Sequence, residues 1–271
     1  MIDLHCHLLP GVDDGSRTME DALELARAAV ANGIHTSVLT PHIYPGVFDN
    51  QRSSLPVFAE YRQALWEAGI PLDVRLGGEV HLHPDVFDMF ARGELPMIGG
   101  LNGKKMMLLE FPDGAIPHGS DVACRMFADQ GVHWLIAHPE RNKAVMRNPD
   151  IIKPFVDMGC MLQLTAASVV GAFGRSAGQT AHTLLTRGLA HVVASDAHNL
   201  AHRPPRMGEA RRYLSQHFGM GIAYRLTEEN PARILAERVA EPGEELPLAQ
   251  PQQTTPAAAP QGVMPQRMYA N

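Results

Sequence analysis

Six times along this chain of 271 residues, an apolar run of strand length ends in an imidazole or a carboxylate, and the segments between the runs carry helical spacing. The runs cover 2–7, 34–40, 72–80, 106–109, 133–138 and 190–195; a seventh, 160–165, carries no obvious metal ligand. Strands alternating with helices build parallel sheets through right-handed crossovers. The expected fold class is therefore α/β, a barrel or near-barrel of seven strands. In such a barrel the carboxyl ends of all strands open on one face, so residues distant in sequence meet there. His5, His7, His42, Glu79, Glu110, His138, Asp196 and His198 are thereby expected around one cavity.

Local signals delimit the elements. Thr18 can cap a helix with Asp21 three residues on, and Met19, Leu23, Ala26 and Val30 recur at helical spacing until Gly33 ends it. Further helices are expected over 53–68, 85–91, 118–130, 148–158, 178–187 and 205–217. Asn148-Pro149 has the signature of a start, Asn as cap and Pro at the first helical position, and Asn230-Pro231 repeats it for a helix reaching 238. Gly99-Gly100-Leu101-Asn102-Gly103 reads as a turn that fits no phosphate-cradling fingerprint. Past residue 239 the composition shifts to Pro, Gln, Ala and Thr, with six prolines between Pro242 and Pro265. One domain over 1–239 and a disordered tail over 240–271 are expected, passive rather than docking through Leu246 or Tyr269.

Side chains on a strand alternate, so His5 and His7 are expected to point one way and Leu4 and Cys6 the other. An isolated His-x-His is as readily a packed or surface pair as a metal grip. Eight candidate ligands at equivalent strand ends make the metal reading the better one. Imidazole and carboxylate without thiolate suit manganese, iron or zinc, and carboxylates able to bridge suggest two or three ions. His81 and His83 lie past Glu79 and read as rim or structural residues. His35, His133 and His191 begin strands at the opposite face, and His118, His182, His202 and His217 are expected to face solvent.

Cys6, Cys124 and Cys160 have neither zinc-finger spacing nor an even count, so no disulfide framework is indicated. With no charged leader and no apolar run of about eighteen residues, a cytoplasmic protein without a membrane span is expected. The formal net charge of -6 argues against general attraction to nucleic acid or anionic membranes, so any phosphate binding must be local.

These stretches resemble the PHP (polymerase and histidinol phosphatase) superfamily, and within it the CpsB/CapC type of capsule-biosynthesis tyrosine-protein phosphatases. The resemblance rests on 2–15, Thr40-Pro41-His42, Gly78-Glu79, Leu109-Glu110, Ala137-His138-Pro139-Glu140-Arg141-Asn142, and Ser195-Asp196-Ala197-His198-Asn199 with Arg203-Pro204-Pro205. It spans 1 to about 236 and leaves out the tail. It implies a distorted (β/α)7 barrel with three divalent ions, manganese first and iron or zinc as substitutes. By that resemblance His5, His7, Glu79 and Asp196 hold one ion, Glu79, Glu110 and His138 a second, and Asp14, His42 and His198 a third. Asp14 enters only this way, since Asp13 and Asp14 by themselves read as turn residues. Arg141 and Arg203 match phosphate-contacting arginines, with Arg206 a nearby second choice.

The implied reaction is attack of a metal-bridging hydroxide on phosphotyrosine, and the implied substrate is a bacterial tyrosine kinase of capsule or exopolysaccharide synthesis. A cysteine nucleophile is not expected, because the residues six positions after Cys6, Cys124 and Cys160 are Val12, Gln130 and Ala166, not the arginine such an enzyme needs. A phenol, with a pKa near 10, leaves with less help from a general acid than an alkyl alcohol does, and no general acid stands out in the sequence. The alternatives are a histidinol or other small-molecule phosphatase, an amidohydrolase, and a noncatalytic metal-containing interaction protein. The departure from the family pattern is His81-Leu82-His83.

Overall fold

All seven expected strand segments form strands; the one over 72–80 is broken at Gly77-Gly78, and the line of the one over 34–40 resumes beyond Thr40-Pro41. The structure, a computed structural model, describes residues 1–49 and 54–237. The strands are β1 Ile2–Cys6, β2 Thr36–Leu39, β3 His42–Tyr44, β4 Phe48–Asp49, β5 Asp73–Leu76, β6 Glu79–His81, β7 Gly99–Leu101, β8 Lys104–Glu110, β9 Val132–Ala137, β10 Met161–Thr165 and β11 Val192–Ala194. One sheet has the order β1-β2-β5; the other runs β11-β10-β9-β8-β6-β3-β4, with β7 paired to β8. All pairings are parallel except β3 with β4 and β7 with β8.

Thr40-Pro41 separates β2 from β3, and Gly77-Gly78 separates β5 from β6. Proline offers no N–H to a ladder, yet the two lines stay in register through Gly77 N–H to Leu39 O at 2.8 Å and Glu79 N–H to Pro41 O at 3.1 Å. The glycines permit close packing there, since a Cβ on Gly78 would stand 2.5 Å from Pro96 Cγ. At the other side, Asp196 N–H donates to His5 O at 2.8 Å and His7 N–H to Ala197 O at 2.9 Å, tying the ends of β1 and β11.

The helices are α1 Met19–Ala31, α2 Ser54–Glu67, α3 Asp85–Ala91, α4 Ser120–Asp129, α5 Lys143–Arg147, α6 Lys153–Asp157, α7 Ala166–Val169, α8 Arg175–Thr186, α9 Met207–Phe218, α10 Met220–Tyr224 and α11 Asn230–Ala236. Thr18 caps α1 by accepting Asp21 N–H at 3.1 Å. Asn148 accepts Asp150 N–H at 3.1 Å and opens a 3-10 turn over Pro149–Ile152 that continues into α6. The second Asn-Pro pair behaves otherwise. The chain is already helical from Met220, with a π-helical stretch Arg225–Glu229, so Asn230 is no cap and instead donates its Nδ2–H to His191 O at 2.7 Å. The expected tail over 240–271, residue 53 and residue 238 lie outside the described residues. Among the described residues no helix is long and apolar enough to cross a membrane.

Two apolar layers hold the strands. The larger one, between strands and helices, includes Trp134, Phe127, Tyr61, Leu109 and Ile136; the smaller gathers Leu4, Val38, Leu108, Leu135, Ile234 and Leu235. Leu4 and Cys6 fall into different layers, contrary to simple alternation. The reason is a bulge: Asp3 pairs with Ser37 and Cys6 with Leu39, three steps on β1 against two on β2. An extra residue locally re-aims the side chains beside it.

The expected Gly-rich turn is also partly strand. Gly99–Leu101 runs antiparallel to the start of β8, and only Asn102 (φ 56°) and Gly103 (φ 74°) make the reversal, the two positive φ values that suit a tight hairpin. Gly99 itself has φ 152° and packs under α11, where a Cβ would stand 2.3 Å from Ile234 O. Gly99→Ala is therefore expected to cost about 2 kcal/mol through overpacking, a drop of roughly 4–8 °C in melting temperature. Gly93→Ala, at φ 69° with nothing within 4 Å of the added carbon, is expected to cost about half as much. Calorimetry on both variants checks this; equal shifts would show that crowding by Ile234 has no weight.

Candidate metal centre

At the end of β1 His5 and His7 meet at one point, their Nε2 atoms 3.2 Å apart. Each ring is held from behind. His5 Nδ1 lies 2.9 Å from Gln163 Oε1 on β10, and His7 Nδ1–H donates to Asp13 Oδ2 at 2.7 Å. Asp13 is itself fixed by Gly15 N–H at 3.0 Å and His42 N–H at 3.1 Å. Gly15 is required where the loop folds back on His7, since a Cβ there would be 2.2 Å from His7 O. Such outer partners fix ring orientation and raise basicity at the other nitrogen.

Glu79, first residue of β6, lies at the centre. Its Oε1 receives His138 Nε2–H at 2.8 Å, while Oε2 is 3.2 Å from His5 Nε2, 3.4 Å from His7 Nε2 and 3.1 Å from His42 Nδ1. Asp14 Oδ1 stands 3.3 Å from His42 Nε2 and 3.4 Å from His198 Nε2. Glu110 Oε1 is 3.6 Å from His138 Nε2. His138 (φ 31°) and Asp196 (φ 51°) both have left-handed backbone, uncommon outside glycine and a frequent mark of strained functional positions.

The nine residues with metal-ligand character, the eight from strand ends and Asp14, thus form overlapping sets. His7, Asp14, His42 and His198 make one; His5, His7 and Asp196 a second; His5, Glu79 and His138 a third; His42, Glu79 and Glu110 a fourth, the donor atoms of each lying within 4.8 Å of one another. These sets differ from those implied by the resemblance: His7 also joins the Asp14 set, Glu79 groups with His5 and His138 and with His42 and Glu110 instead of with His5, His7 and Asp196, and Glu110 does not share a set with His138.

The electrostatics follow from burial and crowding. Burial alone would raise Glu79, yet His5, His138 and His42 hold its carboxyl well below the ordinary range. Burial disfavours charge on His7 and His42, but Asp13 and Glu79 lift His7 to about 9, and Asp14 and Glu79 lift His42 to about 11. His198 moves the other way, to about 4, because burial and neighbouring His7 both oppose its charging. Asp196 is depressed against its burial by His5, Arg203 and Arg141.

The donor set suits divalent cations on a direct observation. Glu79 Oε2, Asp196 Oδ1 and His198 Nε2 are all buried and turned into the cluster, yet make no hydrogen bond of proper geometry. Buried polar groups are nearly always satisfied, and cations held among these donor sets would satisfy them.

Arg141 and Arg203 converge beside the cluster. Both donate to Asp196 Oδ2, Arg203 Nη2 at 2.6 Å, and both guanidinium groups lie over the Phe173 ring, at 5.0 and 6.0 Å from its centre. Arg206 instead pairs with Glu209 at 2.9 Å. His81 Nδ1 lies 3.0 Å from Glu110 Oε2, and its ring stacks on Tyr44 at 4.0 Å. His35 pairs with Glu228, His133 with Gly159 O and His191 with Leu162 N–H, all outside the cluster. His118, His182, His202 and His217 are exposed.

Sequence reasoning passed over Asp3, Asp13, Gln163 and Phe173. Asp3 is buried, takes Ser195 Oγ–H at 2.5 Å and Ser195 N–H at 2.8 Å, and burial pushes its carboxyl up to about 6 against those bonds. An acid two residues ahead of His5, and a glutamine inside Met161-Leu162-Gln163-Leu164, were the available signals: polar groups in apolar strands need partners. Phe173 offered none.

Comparison with known proteins agrees with this geometry. The family model for capsular polysaccharide synthesis, CpsB/CapC, matches residues 1–236. The tyrosine-protein phosphatase YwqE of Bacillus subtilis is 37% identical over 232 residues, 84% of this chain and 89% of that protein. The tyrosine-protein phosphatase CpsB of Streptococcus pneumoniae is 29% identical over 245 residues, 88% of this chain and all of the other. Among solved structures, those of YwqE and CpsB, described as unique metal-dependent tyrosine phosphatases, include a chain with TM-score 0.81 and 35% identity that covers 88% of this chain and 96% of its own. A match running from β1 through α11, over the whole set of clustered donors, means that this chain belongs to the CpsB/CapC family of capsular polysaccharide synthesis.

Proposed function

We propose that this chain is a metal-dependent protein-tyrosine phosphatase of capsule or exopolysaccharide synthesis. The observation that carries the reading is Glu79, buried within 3.4 Å of three histidine nitrogens on one oxygen and hydrogen-bonded to a fourth on the other, with two arginines alongside. The kinship to YwqE and CpsB supports the activity. In this reading His5, His7, Glu79 and Asp196 hold one ion, Glu79, Glu110 and His138 a second, and Asp14, His42 and His198 a third, with manganese as the metal. The frame we take is a distorted seven-strand barrel, supported by the hydrogen bonds from Asp196 to His5 and from His7 to Ala197 that link the two sheets.

Divalent cations held there supply Lewis acidity, which brings deprotonation of water toward neutral pH and draws charge from phosphoryl oxygens. The chain's own residues do the rest. Asp13 and Gln163 keep the His7 and His5 rings aimed inward. The forked guanidinium groups of Arg141 and Arg203 bind phosphoryl oxygens and orient the phosphorus, with Asp196 holding both arginines ready. A phenolate leaves readily, its conjugate acid having a pKa of about 10, so an aryl ester suits a site without an evident acid. The cysteines take no part: Cys6 Sγ faces Val38 O at 3.4 Å and burial pushes its thiol well up, while Cys124 and Cys160 are buried against each other with Sγ atoms 3.2 Å apart. The reading takes the substrate to be a phosphorylated bacterial tyrosine kinase, the enzyme to be cytoplasmic, residues 1–239 to be the catalytic unit and 240–271 a tail without a role in hydrolysis.

With manganese present, hydrolysis of a phosphotyrosine peptide and indifference to histidinol phosphate are the expected results, and the reverse would transfer the chain to small-molecule chemistry. His7→Ala is expected to lose bound metal, read by mass spectrometry of the native protein, together with at least about 10²-fold in kcat/KM. Arg141→Ala is expected to keep its metal content and lose on the order of 10²–10³-fold in kcat/KM. An Arg141→Ala enzyme of near-normal rate would remove the arginine pair from the mechanism.

A further inference from the structure

Beside the Arg141–Phe173 contact a cleft of about 400 Å³ runs between α5 with Pro149 on one wall and α8 on the other. Its lining is polar and basic: Lys143 and Arg147 face Ser176, Gln179, Thr180 and Thr183. Both walls start at the candidate metal centre. Lys143 follows Arg141 by two residues and Ser176 follows Phe173 by three, so the cleft opens within about 10 Å of the arginine and the ring it lies over.

The two cations are unclaimed. Among the described residues neither Lys143 nor Arg147 has a carboxylate partner, whereas neighbouring Arg187 is taken by Asp150 at 2.5 Å. Asn142 holds α5 in position by accepting Ala144 N–H at 2.9 Å and Val145 N–H at 3.2 Å, and by donating to Pro112 O at 2.8 Å. Lys143 and Arg147 are therefore presented at i and i+4, on one face of a fixed turn about 6 Å apart along the axis. In an extended peptide, side chains two residues apart share a face and are separated by about 6.6 Å. The spacings match.

We propose that this cleft is a subsite for the polypeptide flanking the phosphotyrosine, and that it selects carboxylate side chains in an acid-x-acid pattern on Lys143 and Arg147. The inference rests on the phosphatase reading, since it assigns the occupant to the same substrate chain whose phosphate meets Arg141. A protein of net charge -6 repels an acidic peptide on the whole, so a local pair of unpaired cations beside the phosphate clamp confers selection where charge elsewhere opposes it. The hydroxyl of Ser176 and the amide of Gln179, both exposed, can serve the peptide backbone, which every sequence carries.

The test uses the manganese-loaded full chain and its double variant Lys143→Glu/Arg147→Glu. The substrates are p-nitrophenyl phosphate and phosphotyrosine peptides with Glu-x-Glu on the amino or the carboxyl side of the phosphotyrosine, each with a Gln-x-Gln control. At low salt the wild type is expected to favour one of the Glu peptides over its control by about fivefold in kcat/KM, and the variant to lose that preference and about tenfold on that peptide. Turnover of p-nitrophenyl phosphate stays within twofold, because neither residue belongs to the clamp. Equal rates of the wild type on Glu and Gln peptides would overturn the subsite, as would a preference that survives the double substitution or a loss shared by all substrates. Wild type inert toward every one of these phosphate esters with manganese present would instead sink the phosphatase reading and the subsite with it.

Discussion

Most of this molecule is arranged to let Glu79 remain ionised out of contact with water. A lone carboxylate in that setting would take up a proton, because desolvation penalises the charged form by several kcal/mol. Here the carboxyl is instead kept well below its ordinary range by imidazoles from the ends of β1, β9 and the start of β3. Those imidazoles come from separated parts of the sequence, so the charge balance exists only once the parallel strands have aligned. Folding and the assembly of the centre are one event. The orphaned oxygen on Glu79 and its counterpart on Asp196 are the residue of that arrangement, positions where the protein's own donors stop short.

Much of this was legible in the sequence because parallel strands end together, and that one topological fact turns scattered histidines and acids into neighbours. What was not legible had local causes. The bulge in β1 is invisible to an alternating pattern, which assumes one residue per step, and so Leu4 was read onto the wrong side. Asp13 and Asp14 look alike as turn residues. Only the backward fold of the loop at Gly15 separates them, giving Asp13 to His7 Nδ1 and Asp14 to His42 and His198. Asn230 had the right neighbour for a cap, but tertiary demand from His191 O and a helix already under way overrode the local signal. Gly99 and Gly100 suggest a turn, whereas at Gly99 the need is room beneath Ile234.

Arg141, Arg203 and Phe173 form a second tier. The arginines share one oxygen of Asp196 and one aromatic face, so their orientation is set by a residue of the centre itself. Planar guanidinium groups suit this double duty, stacking and donating at once, in a way an ammonium cannot. His81 and Tyr44 repeat the device on the far rim, where a stacked ring pair contacts Glu110.

The left-handed backbone at His138 and Asp196 carries one more consequence. Glycine would relax either residue, and random stabilising searches reward such relaxation, since strained conformations of this kind cost about 1–3 kcal/mol each. At these two sites, however, relaxation deletes the very side chain that the strain aims. Robustness to heat and competence for chemistry therefore compete at these two sites, and any lineage of this fold selected only for endurance would drift toward a hardier but inert scaffold.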